Sequence, residues 1–183
     1  MAQAPILDTP RLTLTPFSRE HLTSRYIGWL NDPEVVRYSE QRHRVHTLET
    51  CKCYFESFSG TPHYFWAVLA KDSHRGHIGN LNALVDTENR LADVGILIGE
   101  RAAWRLGYGL EAWRAVCAFL LEEAGMRKVT AGSMAANTGM LSIMKRSGMV
   151  EDGRRVRHYL LEGREMDIVY YALFGKQYRA GNK

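Results

Sequence analysis

The chain has 183 residues, 45% of them hydrophobic and 24% charged, which is the size and make-up of a single folded domain (residues 1–183) and excludes a disordered segment. Its net charge of +4 is uneven: residues 1–100 hold ten Lys and Arg against twelve Asp and Glu, whereas residues 101–183 hold fourteen against eight, so the second half suits an anionic ligand. No apolar run reaches the ~20 residues that cross a bilayer, Met1–Pro10 lacks the order of an export signal, and Cys51, Cys53 and Cys117 form neither a disulfide framework nor a paired zinc motif, so a cytoplasmic protein without membrane or metal partners is expected.

In chain order, residues 1–10 read as a loose leader. Leu12, Leu14 and Pro16-Phe17 alternate as a short strand. Ser18 is a suitable N-cap for a helix over Arg19–Leu30, with Leu22, Tyr26 and Trp29/Leu30 on one face. Asn31-Asp32-Pro33 interrupts it, and Asp32 caps a helical turn through Val36. Thr47 opens the next helix, carried by Leu48, Cys51, Phe55 and Phe58 and stopped by Gly60. Strands follow over Tyr64–Ala70, His77–Val85 and Leu91–Ile98, separated by polar turns. A loop over Gly99–Gly107 leads to a helix over Gly109–Glu123 with Leu110, Trp113, Cys117, Leu120 and Leu121 inward. Lys128–Met134 is a strand, Asn137–Ser147 a helix, and Met149–Leu161 and Glu165–Phe174 two last strands joined near Gly163. The order β, αα, βββ, α, β, α, ββ is an α+β layout with a strand–helix–strand unit in its middle.

The chemistry gathers at that unit. A strand ends, glycines follow at 107 and 109, and a helix begins. Glycine lets backbone approach a ligand closely, and loop amides together with a helix N-terminus attract phosphate. The nucleotide pattern G-x-x-x-x-G-K-S/T is absent. The dinucleotide pattern G-x-G-x-x-G is met only in relaxed form, with Ala112 in last place and in a unit that starts mid-chain. No aromatic-plus-basic RNA-binding module is present, which sets nucleic acid aside.

Trp104-Arg105-Leu106-Gly107-Tyr108-Gly109, followed by Leu110-Glu111-Ala112, resembles motif A of the GNAT acetyltransferases in the form typical of the ribosomal-protein N-terminal acetyltransferases. Asn137, eleven residues before Gly148-Met149, is similar to the family's asparagine motif, and Thr9-Pro10-Arg11-Leu12-Thr13-Leu14 is similar to its opening. The resemblance implies the GNAT fold: a mixed, mostly antiparallel seven-stranded sheet flanked by about four helices. It implies acetyl-CoA as cosubstrate and direct attack by a primary amine in a ternary complex. The strand Leu91–Ile98 should splay from Lys128–Met134, with backbone near Ile96 and Ile98 bonding the pantetheine arm. Amides from Trp104 and Arg105 through Leu106, Gly107, Tyr108 and Gly109 to Leu110 should hold the diphosphate, and Asn137 the arm near the thioester. Glu111 reads as structural, because a phosphate would repel it.

Asp93 stands where family members often carry a carboxylate and is the candidate base. The serine that the family places three residues after the asparagine is Met140 here. Ser142, two residues on from Met140 and so about 200° further around the helix, is expected to face elsewhere. Tyr159 or, equally, Tyr170 is the candidate acid, Tyr159 being taken forward, and the alternative is that no dedicated acid is needed, since a thiolate is a tolerable leaving group. On the acceptor side, the first two helices and their loop supply Trp29, Tyr38, Arg42 and Arg44, the two arginines as a clamp for an anionic acceptor. His77 and Asn82 are candidates to face the cleft. The acceptor is a protein N-terminus, an amino sugar or a small amine, and the enzyme a monomer or homodimer. A catalytically silent acyl-CoA-binding module is the alternative that Met140 leaves open.

Overall fold

The computed structural model describes residues 4–72 and 74–175. One sheet contains eight strands: β1 (Leu7–Asp8), β2 (Leu12–Pro16), β3 (Tyr64–Ala70), β4 (Gly76–Asp86), β5 (Leu91–Ile98), β6 (Lys128–Met134), β7 (Val150–Leu161) and β8 (Arg164–Phe174). Their spatial order is β1-β2-β3-β4-β5-β6-β8-β7. Every neighbouring pair is antiparallel except β5–β6. Those two run parallel because the chain returns between them through a helix, α4 (Tyr108–Glu122), the crossover that parallel neighbours require. The other helices are α1 (Ser24–Asn31), α2 (Pro33–Val36), α3 (Leu48–Glu56) and α5 (Thr138–Arg146), with 3-10 turns at Arg19–His21, Glu40–His43 and Arg101–Ala103.

The two faces of the sheet have different cores. On one, α4 and α5 bury Trp66, Trp113, Val116, Leu120 and Met144. Trp66 and Trp113 are fully buried, and truncating such an indole costs about 3–5 kcal/mol, far more than any helix cap supplies. On the other face, α1 and α3 cover Phe17, Tyr26, Trp29, Cys51 and Phe65. Among the described residues no helix is long and apolar enough to cross a membrane.

Three expectations are corrected. The sheet has eight strands rather than seven, because part of the supposed leader is a strand: Leu7 pairs with Leu14 and Asp8 with Thr13. The Trp66 indole N–H also donates to the Pro5 carbonyl at 2.9 Å, so the segment is tied down from Pro5 onward. Residues 1–3 lie outside the described residues. There are five α-helices among the described residues rather than about four. The helix read from Arg19 is broken after His21 because the side chain of Thr23, a second good N-cap, accepts from the Tyr26 amide and restarts it.

Candidate active site

β5 and β6 pair only at Leu91 with Lys128, Ala92 with Val129 and Asp93 with Thr130. Beyond that point β5 stays on β4 as far as Ile98, and β6 stays on β8 as far as Met134. A wedge therefore opens between two strands that are each held on their outer side. Antiparallel residues point their N–H and C=O groups alternately to either side. The Gly99 amide donates to the Ile78 carbonyl, so Gly99, Leu97 and Gly95 face β4. By alternation Ile96 and Ile98 face the wedge, beyond the last residues at which β5 and β6 pair. The Ile98 carbonyl is filled by the Trp104 indole N–H at 2.7 Å, which swings that ring across the wedge mouth.

The wedge widens into a cleft of about 850 Å³, bounded by β5, the loop to α4, α5 and the β7–β8 hairpin. At its far end α4 begins on Gly107, at φ 86°, with no side-chain cap. The first intrahelical bond is from the Glu111 amide to the Gly107 carbonyl. The amides of Tyr108, Gly109 and Leu110 precede it and have no acceptor within the helix. Arg105, at φ 63°, also has a left-handed backbone, so the loop curls its amides towards the same spot. These groups can hold a diphosphate. Ile96, Ile98, Trp104, Arg105, Gly107, Gly109, Leu110 and Asn137 all line the cleft. The side chains of Leu106 and Tyr108 do not: Tyr108 is buried beneath the Arg11 guanidinium, 4.7 Å from its ring centroid.

Glu111 is structural, as its sequence context suggests. It accepts from the Thr9 hydroxyl at 2.7 Å, the Arg11 amide at 2.9 Å and the Arg11 side chain at 2.7 Å. Loss of water opposes its charge, but these bonds outweigh it and hold its pKa below the ordinary value. Arg11 also donates to the Leu106 carbonyl at 2.9 Å. Arg11, just ahead of β2, thus braces the loop that leads into α4, and sequence reading missed that role although it noted the Thr9–Leu14 pattern.

Asp93 stands at the apex, on the last paired position before the strands part. Its Oδ2 accepts from the Thr130 hydroxyl at 2.8 Å. Loss of water in the cleft raises its pKa above the usual carboxylate value, and the Thr130 bond opposes that shift. The residue keeps an outlet to solvent. Asp93 and Tyr170 also line a second cavity of about 410 Å³, with Thr130 and Arg155. Gly132 lets the Tyr170 ring lie against β6: a β-carbon there would sit 2.9 Å from the ring. Tyr159 and Tyr170 both line the main cleft, opposite a wall of Glu34, Val35, Tyr38, Ser39 and Glu40. Sequence reading missed Thr130 and the two glutamates. Asn137 caps α5 through Oδ1, which accepts from the Met140 amide at 3.1 Å, while its side-chain N–H group has no protein acceptor among the described residues. Ser142 was expected to face elsewhere, but Gly139, Ser142, Ile143 and Arg146 form one stripe along the cleft.

Five acceptor-side expectations are corrected. Trp29 is buried, and its ring fills the space a β-carbon on Gly99 would take. Arg42 is not free to clamp an anion: its guanidinium donates to the Ser39 carbonyl at 2.8 Å, Glu40 at 2.7 Å and the Leu160 carbonyl at 3.0 Å. Arg44 is exposed and does not line the cleft. Asn82 lies across from Gly95 and donates to the Tyr54 hydroxyl at 3.2 Å, outside the cleft lining. His77 is likewise elsewhere, in a nest of Phe17, His21, Tyr26 and Trp29 rings. Burial and the neighbouring His21 lower its pKa to about 4. Of the predicted acceptor residues, only Tyr38 lines the cleft.

A family model described as an acetyltransferase (GNAT) domain matches residues 11–150. No curated protein sequence matches the chain. Among solved structures, RimL, a ribosomal L7/L12 alpha-N-protein acetyltransferase in complex with coenzyme A, aligns with TM-score 0.82 at 13% identity, covering 93% of this chain and 98% of its own. The spermidine N-acetyltransferase from Vibrio cholerae, in complex with CoA and spermine, aligns with TM-score 0.81 at 15% identity, covering 93% and 99%. A GNAT-family acetyltransferase from Bacillus anthracis aligns with TM-score 0.79 at 18% identity, covering 93% and 98%.

Proposed function

The chain belongs to the GNAT acetyltransferases, acetyl-CoA-dependent enzymes that acetylate amine nitrogen, and from that premise we propose that its acceptor is a positively charged primary amine and that Asp93 is its base. The observation that carries this reading is the position of Asp93. Its carboxylate stands where β5 and β6 part, between the wedge and the tyrosine-lined end of the cleft. The coenzyme arm lies in the wedge as a surrogate strand against Ile96 and Ile98. Its diphosphate lies on the amides of residues 108–110, and the amide group of Asn137 bonds the arm near the thioester.

The acceptor arrives as an ammonium ion. Asp93, directly or through one water, takes a proton and leaves a neutral amine. The nitrogen lone pair attacks the acetyl carbonyl carbon, a C–N bond forms, and an amide of β5 turned into the wedge stabilises the oxyanion. The C–S bond then breaks as the nitrogen sheds its second proton to water, and Tyr159 protonates the departing thiolate and regains its proton from solvent. No anionic acceptor is called for, because Arg42 is committed to protein contacts. The cleft wall carries Glu34, which makes no ion pair among the described residues, beside Glu40. Arg42 neutralises Glu40, so Glu34 is the carboxylate on that wall that favours a cation. That charge favours a small polyamine over an acidic acceptor. The test is release of free thiol from acetyl-CoA with spermidine, glucosamine, a peptide with a free N-terminus and aspartate. Turnover with spermidine well above the others supports the reading. Preference for aspartate contradicts the charge argument, and no turnover with any amine contradicts the enzyme.

A further inference from the structure

We propose that Arg42, together with the Arg37–Glu162 ion pair, is a strap that sets the shape of the acceptor end of the cleft, with Arg42 a positioning residue for Tyr159. The inference rests on the acceptor binding between the α2 wall and the β7–β8 hairpin, as set out above.

Three observations carry it. The first is the contact pattern. The Arg37 Nη2 group donates to Glu162 Oε1 at 3.0 Å, and Arg42 Nη2 donates to the Leu160 carbonyl at 3.0 Å. Both contacts join the wall segment after α2 to the tip of the β7–β8 hairpin. The Arg42 side chain is only 13% exposed. Its other amino group holds Ser39 and Glu40, which line the cleft. One guanidinium thus fixes both sides of the acceptor end.

The second is the weakness of β7 on its own. β7 is the edge strand, paired on one side only. Its register slips between Glu151 and Gly153 and again between Arg155 and Tyr159, where Arg157 takes φ 51°. Tyr159 resumes pairing just past the second slip. An irregular edge strand does not by itself hold a side chain to catalytic tolerance. The Arg42 bond lands on the next residue.

The third is the hairpin turn. Leu161 pairs with Arg164, leaving Glu162 and Gly163 as a two-residue turn with φ 52° and 77°. Such turns favour Asn or Gly at the first central position, because a β-carbon there is crowded. Glutamate is a poor choice for the turn and a good one for reaching Arg37. Tyr38 and Tyr159, from the two strapped segments, pack on the same small cluster of Met134, Leu161 and Ile168.

The experiment measures steady-state kinetics for both substrates, with spermidine, glucosamine and a free-N-terminus peptide as amine probes. Arg42→Ala should lower kcat about tenfold and raise the acceptor KM, from loss of its charged hydrogen bonds, and leave the acetyl-CoA KM unchanged. Arg42→Lys should restore only part, since an ammonium cannot reproduce a planar fork. Glu162→Gln, which keeps the fold and sheds only an exposed charge, should raise the acceptor KM about threefold in low salt and less in high salt. Arg37→Ala added to Glu162→Gln should have no further effect beyond either alone. Arg19→Ala, which breaks the remote exposed pair with Glu56, should change neither constant. Unchanged acceptor constants in Arg42→Ala and Glu162→Gln overturn the strap while the enzyme stands. Equal losses for both substrates assign Arg42 to general stability and also overturn it. Wild-type protein that turns over no amine removes the enzyme reading and the strap with it.

Discussion

Gly107→Glu separates the two jobs of that glycine. A side chain at φ 86° costs about 1–2 kcal/mol of backbone strain. Its β-carbon would also lie 3.3 Å from the Arg11 Nη2 group, close enough that the guanidinium must give way slightly. A carboxylate beside a helix N-terminus returns about 0.3–1 kcal/mol. The net loss is about 1 kcal/mol, or about 2–4 °C in Tm for a chain of this size. The effect on the coenzyme is larger. A diphosphate that loses one charge-assisted bond and meets a like charge forfeits about 2–3 kcal/mol. At 1.4 kcal/mol per tenfold, the acetyl-CoA KM should rise about 30- to 100-fold. Initial rates of thiol release against acetyl-CoA concentration, with thermal melts alongside, measure both. Gly107→Ala is the control: it should lower Tm similarly and raise KM by no more than about fivefold, because it adds strain without charge. Equal KM values for the alanine and glutamate variants, or no change in either, would refute a phosphate cradle at this turn.

Asp93→Asn should lower kcat with little change in acetyl-CoA KM and abolish the acidic limb of the pH–rate profile. In the wild type that limb should lie above the usual carboxylate range, with activity lost as pH falls through the raised Asp93 pKa. A wild-type profile in the variant excludes the role. Burial raises that pKa on folding, so the ionised form is disfavoured in the fold at neutral pH. The same variant should therefore melt no lower than wild type at pH 7. Thr130→Val removes the bond that opposes the shift and should move the acidic limb to higher pH; movement to lower pH would contradict the geometry. Tyr159→Phe should lower kcat more than Tyr170→Phe, and the reverse ranking would transfer the acid role. Glu111→Gln should lower Tm more than kcat, since its carboxylate ties β2 to α4, and a selective loss of kcat would contradict a structural role.

The strands from Tyr64 to Ile98 and the helix after Gly107 were legible because alternation and glycine punctuation act locally. Pairing of Leu7–Asp8 was not, since two residues carry no period and the Trp66–Pro5 bond is made across the fold. Ser18 and Thr23 are both competent caps, so the break in the first helix was hidden by a choice between two equal signals. Asp93 was singled out by the family resemblance, but its position at the apex depends on where the β5–β6 register ends, which no local pattern encodes. Arg42 and Arg44 showed their charge, but Arg42 concealed its partners: the Leu160 carbonyl that engages it is 118 residues away. Thr9, Arg11 and Glu111 were noted in two separate motifs, and their common hydrogen-bonded tie emerges only when β2 and the start of α4 are brought together.

Backbone amide NMR during titration with coenzyme A probes the central claim most directly. The amides of Ile96 and Ile98 should gain protection from hydrogen exchange, and those of Tyr108, Gly109 and Leu110 should shift downfield as the diphosphate seats. Saturable binding that leaves these five amides unmoved, with the perturbed residues lying elsewhere in the chain, would contradict the account.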